Sequence, residues 1–367
     1  MDKSVAEIKR RNIFKSVNTQ VKNGSENNLK VIDISVEEQP TGEISAGAGV
    51  GTNGGSFAID IKENNWLGRG KGLSFSLDLD EESVKGTINY NDPNYNLLGN
   101  SLNYSFSNTT NDVPDRGYEN SLITAAAGTG FEQYKDVDVF LGLEINYDDL
   151  RTDDTASASV KKQAGNFTEL AANYRFTLDK RNRVYDPTDG NLISFGQSIP
   201  IYADSASLSN TFQFNQYHMF SENFIGSSKL FLSAINGIGE DDVRLSKRKG
   251  ISTRRLRGFK KNKIGPLDGT DHIGGNYASA LNFEGSMPNL LPENTGMDLK
   301  VFLDFGNLWG VDFDSSIDDS NEIRSSAGIS ANWKSPIGPI NFTLAQNLLK
   351  AETDETESFS FNSGTTF

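Results

Sequence analysis

The chain has 367 residues, a formal net charge of −14 and no cysteine, so a disulfide framework is excluded and the acidic balance disfavours nucleic acid as a partner. A mean hydropathy of −0.49, with apolar runs only a handful of residues long, excludes a helical membrane protein, whose spans need roughly 20 apolar residues. It does not exclude a transmembrane barrel, which hides its apolar residues in alternation at about 10 per strand; 35 Gly, 23 Phe and 11 Tyr suit many aromatic strands joined by turns.

Val5, Ile8, Ile13 and Phe14 space out a weak helical stripe over Asp2 to Asn12. Phe14 to Val21 and Leu29 to Glu37 then alternate as two strands around Asn23-Gly24. Residues 1–40 are thus expected to form a small α+β piece, too short to hold a core alone, which Pro40-Thr41-Gly42 closes. No apolar signal-peptide core follows Met1, so the chain reads as a mature form or as a piece of a longer protein.

Residues 41–367 read as one domain of period-2 segments. Leu73, Phe75, Leu77 and Leu79 alternate with Ser74, Ser76, Asp78 and Asp80; Leu170, Ala172, Tyr174, Phe176 and Leu178 alternate with Asn173, Arg175, Thr177 and Asp179. Sixteen such strands begin near 43, 55, 72, 83, 99, 118, 136, 166, 190, 206, 224, 275, 294, 322, 338 and 358. An even number of antiparallel strands, apolar on one face and charged on the other, predicts an all-β transmembrane barrel with a polar lumen. A soluble β-sandwich also has one apolar face, but the charged, Asn-rich face here is too polar to pack a dry core. Connections are expected to alternate between short turns and long polar loops.

Between Arg244 and Lys263 lie ten Lys and Arg residues in a Gly-punctuated segment without strand alternation. Such a segment is either a solvated loop or folds against acidic groups elsewhere in the chain. Strand parity supplies the acids, since residues i and i+2 share a face. With Met297, Leu299, Val301, Leu303 and Phe305 outward, Asp298, Lys300 and Asp304 face the lumen; with Tyr277, Leu281 and Phe283 outward, Asn282 and Glu284 do too. A loop of this length is rarely structureless, and folding it inward would pair Arg257 with Glu284 and Asp304, a guanidinium forking to two carboxylates.

Glu63-Asn64-Asn65-Trp66-Leu67-Gly68, Pro187-Thr188-Asp189-Gly190, Leu256-Arg257-Gly258-Phe259, the stretch Val301 to Trp309, Ser335-Pro336-Ile337-Gly338-Pro339 and the terminal Phe367 together resemble the outer-membrane β-barrel assembly factor family. The resemblance runs from end to end of the chain. It implies that Leu256, Arg257, Gly258 and Phe259 form the tip of an inward-folded loop whose Arg meets Glu284 and Asp304; Leu256 stands where Val or Ile is usual. It also implies that residues 1–40 are the last helix and two strands of a membrane-proximal POTRA domain, with the rest of that domain, earlier POTRA domains and a signal peptide lying outside this sequence. The implied activity is insertion of unfolded outer-membrane protein clients into the lipid of the bacterial outer membrane, with accessory assembly lipoproteins as partners.

That activity needs a wall that opens, and the first and last strands are poor in packing. Gly47, Gly49 and Gly51 share one face of strand one; Phe359, Phe361, Ser363, Thr365 and Phe367 share one face of the last, which ends in the equally poorly packing Ser363-Gly364-Thr365-Thr366. A lateral seam between these strands is the expected gate, although frayed terminal strands would look the same. The alternatives are a two-partner secretion or related protein-translocating pore and, further off, a passive porin. Two histidines, no cysteine and no Ser/His/Asp spacing give no reason to expect catalytic, cofactor or metal-binding residues.

Overall fold

The computed structural model describes residues 5, 8, 9, 13–26, 28–96, 98–288, 290–335 and 338–366. The helical stripe expected over Asp2 to Asn12 falls mostly outside the described residues, as does Phe367. Phe14–Asn23 (β1) and Lys30–Glu38 (β2) form an antiparallel hairpin that is a sheet of its own.

Sixteen antiparallel strands then close a barrel, each paired with its neighbours in sequence. The first eleven are β3 (Gly42–Gly51), β4 (Gly54–Glu63), β5 (Gly72–Asp80), β6 (Ser83–Asp92), β7 (Ser101–Val113), β8 (Tyr118–Tyr134), β9 (Val137–Thr152), β10 (Gly165–Asp179), β11 (Gly190–Ala203), β12 (Ser207–Ser221) and β13 (Phe224–Gly237). A long loop carrying the two-residue strands β14 (Leu267–Asp268) and β15 (Asp271–His272) leads to β16 (Tyr277–Met287), β17 (Met297–Trp309), β18 (Arg324–Ser335), β19 (Gly338–Leu349) and β20 (Phe359–Thr366). Next-neighbour pairing follows the chain order, and closure of β20 on β3 covers the sheet edge over residues 47–51, where unpaired backbone groups facing lipid would be costly.

Parity assigns the faces. Val301 of β17 is exposed on the outer wall while Asp304 is buried inside, and Phe75, Ile88, Phe106, Leu143 and Phe283 are likewise exposed outward. These are the side chains a lipid-facing belt requires.

The connections do not alternate as expected. On the end that carries residues 238–276, here the loop end, residues 52–53, 81–82, 114–117 and 204–206 are tight, whereas 153–164, 238–276, 310–323 and 350–358 are long. The opposite, terminus end has turns as short as 222–223 and as long as 180–189. Polarity marked the loops but not which of them fold. The long loop-end segments build a roof with its own apolar core of Tyr118, Leu150, Ala156, Val160, Leu245 and Ile273, and that burial is what gives length without strand structure its stability.

Candidate functional site

The basic loop does not hang in solvent. Lys249 and Gly275 exchange backbone hydrogen bonds of 2.7 and 3.2 Å that close its neck, and the segment between them packs into the barrel. Seven of its ten cations make ion pairs: Arg244 with Asp148, Lys247 with Glu169, Arg248 with Asp312, Arg257 with Glu284 and Asp304, Lys260 with Glu355, Lys261 with Glu82, and Lys263 with Asp115. Asp148, Glu169, Glu284 and Asp304 are wall residues on β9, β10, β16 and β17, so the loop is held from both sides of the lumen.

Arg257 is the centre of this arrangement. Its Nε and Nη2 donate to the two oxygens of Asp304, each at 2.7 Å, its Nη1 donates to Glu284 at 3.1 Å, and its backbone N–H reaches Asp304 at 3.2 Å. Asn282 donates to Asp304 at 2.8 Å and to the Arg255 carbonyl at 2.7 Å, and Lys300 donates to Glu284 at 3.0 Å. The guanidinium carbon lies 3.6 Å from the centre of the Phe302 ring. Asp304 has no exposure at all, and a lone carboxylate there would be prohibitive; the fork and two further donors make it tolerable. Burial opposes the charge of Arg257, but the hydrogen bonds and charges of Asp304 and Glu284 outweigh it and hold its pKa above the ordinary guanidinium value.

The neighbours of Arg257 explain the rest of the motif. Leu256 and Phe259 are buried with Ile251, Ile264, Ala278 and Leu308, and a Cβ at Gly306 of β17 would stand 3.1 Å from Leu256, so that glycine makes room for the loop. Gly258 has φ +85°, a left-handed conformation, and a Cβ there would approach Ala345 to 3.0 Å. Its carbonyl accepts from Asn347 and from the backbone N–H of Glu357, each at 2.9 Å.

The expected seam is closed but short. β20 pairs with β3 from Thr366–Gly47 to Asn362–Gly51, leaving residues 42–46 without a partner on this edge among the described residues, whereas β8 and β9 pair from Tyr118–Thr152 to Tyr134–Val137. The glycines do more than weaken packing. A Cβ at Gly49 would stand 2.9 Å from the Ser363 carbonyl, and one at Gly51 would meet Asn362 and the Phe361 carbonyl, so Gly lets the strands approach; Gly364 faces Gly49 across the ladder. Beyond the ladder, Phe361 N–H donates to Thr52 Oγ1 at 2.8 Å and Thr52 N–H to the Phe361 carbonyl at 3.0 Å. On its lumen side the seam borders a cavity of about 710 Å³, which Arg254 of the basic loop also lines.

Residues 65–367 match the Omp85 superfamily domain. The chain belongs to the Omp85 superfamily. Outer membrane protein assembly factor BamA of Neorickettsia risticii is 24% identical to it over 349 residues, covering 90% of this chain and 46% of that relative. BamA of Nitratidesulfovibrio vulgaris is 25% identical over 383 residues, covering 98% and 46%. The crystal structure of BamA from Haemophilus ducreyi lacking POTRA domains 1-3 shares the fold, with a TM-score of 0.87 at 23% identity over 100% of this chain and 78% of that one. The chain spans about half the length of these curated relatives, none of which is named for a catalysed reaction. The closed barrel and the BamA relatives place this Omp85 chain in the bacterial outer membrane.

Sequence reasoning missed several residues of the site. Phe302 shares the inward parity of Lys300 and Asp304, so an aromatic ring in the lumen was there to be found. Ser326, whose hydroxyl donates to the Arg257 carbonyl, and the buried pair Arg324–Asp354 carried no such signal, because their partners lie in loops whose folding no periodicity encodes.

Proposed function

We propose that this chain is the membrane-embedded part of an insertase that takes unfolded outer-membrane proteins and releases them sideways into lipid between β3 and β20. The observation that carries this reading is the short, glycine-lined closing ladder: its five described pairs are as few as β19 makes with β20, but Gly47, Gly49, Gly51 and Gly364 stand where packing side chains would be. Each of its hydrogen bonds is worth about 0.5 to 1.5 kcal/mol net, so parting it is far easier than parting β8 from β9. The parted edge would present backbone N–H and C=O groups, to which a client strand could add with little demand on its sequence. The wall is also low here, with 8 and 10 described residues in β20 and β3 against 17 and 16 in β8 and β9, so the bilayer meets a short apolar height at the seam.

In this reading Leu256, Gly258 and Phe259 seat the loop and Arg257 anchors it to Glu284 and Asp304. Gly47, Gly49, Gly51 and Gly364 form the seam, flanked on the lipid side by Phe361. Residues 1–40 are part of a membrane-proximal POTRA domain, a reading supported by the β1–β2 hairpin and by the resemblance. Accessory lipoproteins are partners on the resemblance alone, and the chemistry proposed is strand exchange without a catalytic step or cofactor.

Val50 and Ser363 face each other across the ladder, and the chain has no cysteine of its own. Val50→Cys with Ser363→Cys in the full-length protein, oxidised and verified as cross-linked, should stop insertion of client barrels into lipid vesicles, and reduction should restore it. Insertion by the locked protein at the unlocked rate would remove the lateral gate and move the translocating-pore reading, with passage through the lumen, ahead of it.

A further inference from the structure

Arg324, the first residue of β18, is fully buried at the loop end of the wall, and every N–H of its guanidinium has an acceptor. Nε donates to Asp354 at 2.9 and 3.1 Å and Nη2 to Asp354 at 3.0 Å, while Nη2 also reaches Ser320 Oγ at 2.6 Å. Nη1 donates to Asn307 Oδ1 and the Ser320 carbonyl, each at 3.2 Å, and to the Glu322 carbonyl at 2.9 Å. Asp354 in turn accepts the Ala351 backbone N–H at 2.7 Å, and both side chains of the pair have no exposure. One guanidinium therefore ties together β17, the 310–323 loop and the 350–358 loop. An exposed pair would add little; a dry one with all donors spent holds its elements in a single arrangement.

The 350–358 loop leads directly into β20 and is strapped to the basic loop immediately after Arg257. Glu357 N–H donates to the Gly258 carbonyl at 2.9 Å, Lys260 N–H to the Glu355 carbonyl at 3.1 Å and Glu355 N–H to the Lys263 carbonyl at 3.0 Å. Phe259 and Thr356 form a β-bridge, and Lys260 pairs with Glu355 at 2.9 Å. The start of β20 is thus held by the Arg324 clamp, by these straps and by Thr52 of the β3–β4 turn. Among the described residues no such clamp or strap reaches the other end of the strand, and the described ladder ends at Thr366–Gly47, half-way along β3.

We propose that Arg324 and Asp354 are positioning residues for the seam, fixing the start of β20 so that the seam unzips from its Thr366 end and stays hinged at Phe359–Phe361. The inference rests on the seam being the element that opens. It also makes the basic loop and the last strand one mechanical unit, through which the Arg257 anchor acts on the gate without touching it.

Hydrogen exchange of the full-length protein in lipid nanodiscs tests this. In the unaltered chain the amides of residues 359–362 should be better protected than those of 364–366. Asp354→Asn, which keeps the shape and removes the charge, should lower protection of 359–362 by about tenfold, the equilibrium factor of one lost charge-assisted hydrogen bond, while β8 and β9 keep theirs. Arg324→Lys, which keeps the charge and loses the fork, should act in the same direction. Unchanged protection of 359–362 in a folded Asp354→Asn barrel would overturn the proposal. So would equal exchange at the two ends of β20 in the unaltered chain, a measurement that stands whether or not the variants fold. Client insertion is not read, so failure of the insertase reading would appear in the seam-lock experiment and not in this gradient.

Discussion

Asp304 and Arg257 show how little of a membrane barrel's interior is held by the hydrophobic effect alone. A carboxylate with no exposure is stable only because a guanidinium forks onto it, an amide and a backbone N–H complete its shell, and Phe302 shields the cation from one side. Arg257→Met removes the cation and leaves the buried Asp304 without one, while Glu284 keeps only Lys300. Breaking a buried pair of this kind should destabilise the seated loop by about 3 to 5 kcal/mol, seen as new protease cuts between Lys247 and Lys263 and an earlier loss of heat-resistant gel mobility. Adding Asp304→Asn should recover part of the loss, because the stranded charge is then gone. Strict additivity of the two substitutions would mean that the contact is not coupled.

At the scale of the element, the basic loop is a folded unit rather than a connection, and Gly258 is where its backbone is most demanding. Its φ of +85° and the approach of Ala345 to 3.0 Å act together: a methyl group would be strained by the backbone and crowded by the wall. Gly258→Ala should therefore weaken the loop by about 1 to 3 kcal/mol although no charge changes. The expected readout is faster hydrogen exchange in residues 255–263 with β8 and β9 unaffected; unaltered exchange would show that the turn relaxes at no expense.

Over the whole molecule the barrel is asymmetric in both wall and lumen. The tall strands β8 and β9 contribute Tyr118 and Leu150 to the core of the roof, the short strands β20 and β3 meet at the seam, and the cationic loop occupies the lumen of an otherwise acidic chain. A lumen filled in this way should conduct poorly: in planar bilayers the unaltered protein should show small, steady conductance, and Arg257→Met should add frequent large openings as the loop comes loose. A large steady conductance in the unaltered protein would instead support the porin reading.

Alternation determined the number, order and faces of the strands, because a period of two is local and each strand repeats it independently of what surrounds it. The inward positions of Asn282, Glu284 and Asp304 followed from that parity, and the cationic loop was visible as a run of charge in search of a counterpart. Which acids met which cations was not legible beyond Arg257: the pairs of Arg244 with Asp148 and Arg324 with Asp354 join residues far apart in sequence through loops that carry no period. The seam divides in the same way. Its glycines are legible as weak packing, but their second role, letting β3 and β20 approach to within a Cβ of collision, exists only once the barrel closes and sets the register of two strands at opposite ends of the chain.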